Sequence, residues 1–99
     1  GQYAGFEGRL KQYEERIAPF YKVTNTDLDR QFRDVRRVIS MSDADIQYVL
    51  DTCKCSDVTV EIVKKNPDIL ESVERIYYFD AILRYGPRTA ATVVTAPSR

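Results

Sequence analysis

Ninety-nine residues, 43% of them apolar and 30% charged, suffice for one domain with a single hydrophobic core and are too rich in hydrophobes for wholesale disorder. Fifteen basic and fifteen acidic side chains cancel to a formal charge of zero, which argues against nucleic-acid or membrane-surface binding by the domain as a whole. Histidine is absent, the four glycines are isolated, and no apolar run reaches the roughly eighteen residues of a membrane span. The expectation is therefore a soluble protein that is neither an enzyme nor a cofactor carrier.

No signal-peptide pattern opens the chain, and residues 1–5 are expected to fray. From Phe6 the apolar positions Phe6, Leu10, Tyr13, Ile17 and Phe20 step by four, three, four and three, which is a helix with a narrow apolar stripe. Two heptads are short for a coiled coil, so the stripe reads as a docking face on the domain, and a monomer, ahead of a dimer seam. Pro19 removes a backbone donor and is expected to bend or end this helix.

Thr24-Asn25-Thr26 is a cluster of capping residues, and Asp27 and Asp29 suit the positive end of a helix dipole, so a second helix is expected over residues 26–39. Leu28, Phe32, Val35 and Val38 or Ile39 form its buried face. Arg30, Arg33 and Arg37 share the opposite face, with Arg36 beside them. They read first as a solvated face laced by the pairs Asp29–Arg33 and Arg30–Asp34, and second as a guanidinium cluster for an acidic peptide or phosphate.

Ser42 with Asp45 forms a capping box with Asp in the Glu position, opening a third helix over residues 43–53 that buries Ile46, Val49, Leu50 and Cys53. Cys53 and Cys55 cannot complete a four-ligand zinc site alone, and a disulfide between them would close a very small ring. They read as reduced thiols, Cys53 inside and Cys55 near a loop.

Residues 58–79 carry two helices and a break. Thr59 caps the first, with Val58 and Val63 placed as a hydrophobic staple; Asn66 caps the second, with Pro67 at its first position. Ile69, Val73 and Ile76, with Leu70 and Tyr77, then make one apolar stripe ending at Phe79. Tyr78 falls on the side of Glu71, Glu74 and Arg75 and is expected to be partly exposed. Residues 80–85 add one or two turns before Gly86 and Pro87 stop the helix, and residues 87–99 read as a flexible tail. The whole is an all-α, compact bundle of about five short helices: a single helical domain over residues 6–86 plus the tail.

The sequence of features from Val58-Thr59, through the acidic Glu61 and the Asn66-Pro67 break, to Ile69-x-x-x-Val73-x-x-Ile76 and Phe79 resembles the N-terminal domain of transcription elongation factor TFIIS. Within that superfamily it is most similar to the integrase-binding domain of the lens epithelium-derived growth factor group. The resemblance implies a nuclear interaction module for short disordered, phenylalanine-containing acidic motifs of transcription-elongation or chromatin factors. Their anchor would enter a small notch lined by Phe79 and Ala81 on one side and by Val38, Ile39, Ser40 and Met41 on the other, with Tyr78 alongside. Ile39 stands where the growth-factor group has a ligand-binding aspartate, with Asp43 the nearest substitute, and the tryptophan of the last elongation-factor helix is missing. That helix is expected to be truncated, or replaced by the first helix. The alternative function is a nucleic-acid-binding helical domain that uses the Arg30/Arg33/Arg37 face.

Overall fold

Among the described residues six helices build the domain: α1 (Ala4–Tyr21), α2 (Asn25–Arg36), α3 (Asp43–Cys53), α4 (Val60–Lys65), α5 (Pro67–Tyr85) and α6 (Pro87–Thr95). The computed structural model describes residues 4–21 and 25–96, and among these no strand occurs. Its radius of gyration, 12.7 Å, is that of a folded chain of this length, about 13 Å, rather than the 30 Å or so of an unfolded one.

Local chemistry sets most of the boundaries. Ser42 accepts a hydrogen bond from the Asp45 amide at 3.1 Å while the Asp45 carboxylate accepts one from the Ser42 amide at 2.9 Å, the reciprocal capping box that starts α3. Thr59 Oγ1 accepts from the Ile62 amide and starts α4, with Val58 and Val63 both buried in one cluster. Asn66 is the N-cap residue of α5, as expected, and its carbonyl accepts from the Leu70 amide at 2.9 Å. Its side chain makes no cap to α5; Nδ2 instead donates to the Ile62 carbonyl at 2.8 Å, closing α4. Pro67 opens α5 at a position where a missing amide hydrogen costs nothing.

α5 touches all five other helices and is apolar over much of its circumference. Val73 and Ile76 join Phe6, Ile46, Val49, Leu50, Cys53, Cys55, Val58 and Val63 in one cluster. One turn on, Tyr78, Phe79, Ala81 and Ile82 join Phe32, Ala90 and Val94 in a second. Tyr77 packs against both clusters. Phe6 of α1 is 1% exposed, so this end of the amphipathic face is a docking surface rather than a dimer seam. Leu10, Ile17, Phe20 and Leu28 belong to side chains outside the described set.

Three boundaries differ from the sequence reading. α1 runs past Pro19 to Tyr21, so the proline lies within the helix's last turn rather than ending the helix before it. α2 ends at Arg36, and tighter bonds from the Val38 amide to Val35 and the Ile39 amide to Arg36 finish it; Val38 thereby leaves the buried face and is 62% exposed. Most consequentially, residues 87–95 form a helix rather than a tail. Pro87 ends α5 and, being tolerated at a first helical position, also begins α6. Gly86 turns the chain at φ 87° and ψ 160°, a conformation open essentially to glycine alone. Ala90 and Val94, four residues apart, then fall on one face and are fully buried against the α5 cluster.

Candidate functional site

α2 is fastened to α5 by charge as well as by Phe32. Arg36 Nε donates to Glu74 at 3.0 Å and its Nη1 lies 3.7 Å from Glu71. Arg75 pairs with Asp29, with its guanidinium 4.7 Å from the Phe32 ring centroid and 5.7 Å from that of Phe79. Asp29 thus reaches across to α5 instead of pairing along its own helix with Arg33. The charged side of α5 faces α2, not solvent, and this overturns the expected exposure of Tyr78. That ring is 2% exposed and stacks on Phe32 with centroids 6.4 Å apart. Burial pushes its hydroxyl pKa up, and Asp34 pushes it further the same way.

Phe79 is 0% and Ala81 4% exposed. Ile39 packs against their cluster, and the Ser40 amide donates to the Val94 carbonyl at 2.9 Å, while Met41 packs against the other cluster. The α2–α3 connection and the Phe79 end of α5 therefore do meet. The space between them holds α6, so Phe79 presents no open face. Arg33 and Arg37 are exposed, as is Arg30, whereas Arg36 is committed to α5.

A surface site lies one step away. Among the described residues four large apolar side chains are exposed, and three of them, Tyr48 of α3, Tyr85 of α5 and Val93 of α6, line one cavity of about 300 Å³. Ala81 and Tyr77 also line it, with Asp45, Asp80 and Arg84 supplying charge. Tyr48 Oη donates to Asp80 at 3.1 Å and accepts from Arg84 Nη1 at 3.0 Å. The Arg84 guanidinium stands 5.7 Å from the Tyr48 centroid and 5.2 Å from that of Tyr85, and 3.6 Å from the Asp80 carboxylate. Tyr48, Tyr85 and Asp80 all favour the charged form of Arg84. Burial, then the Asp45 carboxylate, pushes the Tyr77 hydroxyl pKa up, so it stays a donor at neutral pH.

Of the residues proposed from sequence, only Ala81 reaches this groove. Tyr48 carried a readable signal, being off the Ile46–Val49–Leu50–Cys53 face of its helix. Val93 did not, because its wall exists only once residues 87–95 are helical.

The groove can hold an aromatic or aliphatic group against rings, with hydrogen-bonding charges at its edge. Among the described residues there is no group of three or more His, Cys, Asp or Glu side chains that could hold a metal ion, and no helix long and apolar enough to cross a membrane. Fold and groove together define a small all-helical domain with an aromatic-walled surface cleft. The chain matches no family model, no curated protein and no solved structure.

Proposed function

We propose that this domain is a protein-interaction module that binds a short disordered peptide segment by an aromatic anchor. The observation supporting it is the convergence of Tyr48, Tyr85 and Val93, each 38–46% exposed, on a single groove. Exposed aromatic side chains gathered at one cleft, with polar atoms at their tips, suit recognition of a partner side chain. The resemblance to the TFIIS N-terminal domain extends the reading to phenylalanine-containing acidic motifs of nuclear transcription-elongation or chromatin factors. In that case the phenylalanine ring enters between Tyr48, Tyr85 and Val93, and flanking carboxylates meet Arg84, whose side chain is 52% exposed, or the Arg30/Arg33/Arg37 face.

Titration of the isotopically labelled protein with an acidic phenylalanine peptide tests this. Amide shifts concentrated at residues 45–48, 77–85 and 93, and weakened by Tyr85→Ala, support the reading. Absence of shifts there sinks it. A salt-dependent response of residues 30–37 to a DNA duplex would instead favour the nucleic-acid alternative.

A further inference from the structure

A second cleft, of about 330 Å³, opens between α1 and the C-terminal end of α3. Arg9, Arg16 and Lys54 line it together with Gln12, Tyr13 and Thr52, and no acidic residue lines it among those described. In a chain of zero net charge, three cations facing one cavity are a local concentration that the fold has assembled from two helices. Arg9, Tyr13 and Arg16 share a face of α1 by their spacing of four and three. The Arg16 guanidinium is held 5.7 Å from the Tyr13 centroid. Lys54 comes from the other side, as the C-cap of α3 at φ 57°, a left-handed conformation unusual for a residue with a side chain.

The end of a helix normally repels anions, because its last carbonyls are unpaired. Here two of those carbonyls are taken: the Lys54 amide donates to Asp51 and the Cys55 amide to Leu50. Nearby carboxylates leave the cations in excess. Asp51 is bound to Gln47 at 2.9 Å, Asp57 and Arg9 both lie near Gly5, and Asp80, which acts on Tyr13, accepts a hydrogen bond from Tyr48; none of the three lines the cleft.

We propose that this cleft binds a phosphate monoester or free phosphate, with Arg9, Arg16 and Lys54 supplying the charge and Gln12, Tyr13 and Thr52 the neutral hydrogen bonds. A dianion with three terminal oxygens matches both the charge and the number of donors better than a single carboxylate does. The Tyr13 hydroxyl, its pKa pushed up to about 12 chiefly by burial, remains a donor throughout the neutral range. This site is separate from the Tyr48–Tyr85 groove and does not depend on the peptide reading.

The test is titration of the labelled protein with inorganic phosphate, and separately with a phosphoserine peptide, against chloride at matched ionic strength. Saturable shifts at residues 9–16 and 52–54, with none at Arg33 and Arg37, are expected, and the double variant Arg16→Glu/Lys54→Glu should abolish them. Both of those side chains are exposed, so the fold should tolerate the change; if the variant's spectrum changes globally, Arg16→Gln/Lys54→Gln serves in its place and should weaken binding roughly tenfold or more. Tighter binding of the phosphopeptide assigns the ligand to a phosphorylated side chain, and equal binding assigns it to free phosphate. Non-saturating shifts, shifts spread equally to Arg33 and Arg37, or shifts indifferent to the charge changes overturn the proposal.

Discussion

Arg75 of α5 stands over Phe32 of α2, its guanidinium carbon 4.7 Å from the ring centroid, while pairing with Asp29. One side chain thus contributes a cation–π contact and an ion pair to the same helix junction. Partial desolvation, with Arg75 19% exposed, raises the first from the surface value of about 0.5–1 kcal/mol, while the pair, with Asp29 46% exposed, adds at most about 1 kcal/mol. Arg75→Ala should therefore cost about 1–2 kcal/mol in denaturant unfolding. Arg75→Lys should recover only part, because an ammonium lacks the planar fork that stacks and pairs at once. A lysine variant as stable as the parent would mean that charge alone matters here.

Phe79→Ala should remove about 3–5 kcal/mol of stability, since a ring with no exposed surface leaves a cavity the surroundings only partly fill. That is a large share of the roughly 5–15 kcal/mol that holds a domain of this size folded. Circular dichroism melting would show a lowered, broadened transition. An unaltered melt would mean the ring is a surface anchor after all, and that α6 does not cover it.

The residues whose effects are local were the legible ones. Ser42, Asp45 and Thr59 act within three or four positions of themselves, and their helices begin where the sequence places them. The core faces of α3 and of the first half of α5 follow equally from spacing. Tyr78 was misplaced because Glu71, Glu74 and Arg75 look like a solvent face until Arg36 and Asp29 arrive from α2, a contact with no local trace. α6 was missed for a related reason. Threonines and valines have modest helix propensity, and the segment is stabilised by burying Ala90 and Val94 on α5, a tertiary effect. The groove inherits that blindness through Val93.

Alkaline pH should destabilise the domain in a definite window. Burial holds the Cys53 thiol protonated, its pKa pushed up to about 12 from an ordinary 9.0, with Cys55 reinforcing the effect. Above pH 9 the unfolded chain loses this proton while the folded chain keeps it. Stability is therefore full below pH 9 and declines as pH rises toward 12; Tyr13, also raised to about 12, adds to the upper part of the decline. Urea unfolding at successive pH values should show this slope, and Cys53→Ala should flatten it. A thiol reagent should modify Cys53 and Cys55 in the native protein only slowly at neutral pH, as both are at most 4% exposed. Rapid native labelling would contradict this placement.

Ending the chain at Gly86 discriminates a helix from a tail. If residues 87–99 were a tail, their removal would leave the melting temperature unchanged. As placed, α6 covers Phe32, Phe79 and Ile82 with Ala90 and Val94, and the buried valine alone is worth about 1.5–3 kcal/mol. The shortened protein should therefore melt several degrees lower and bind a hydrophobic dye at the uncovered cluster. It should also lose one wall of the Tyr48–Tyr85 groove, and with it affinity for any ligand held there. A control at Thr92, exposed on the same helix, separates burial from helix content: Thr92→Ala removes no buried atoms, so its effect should stay within about 0.5 kcal/mol. A shortened chain that melts like the parent would return residues 87–99 to the role of a tail and reopen Phe79 as a surface residue.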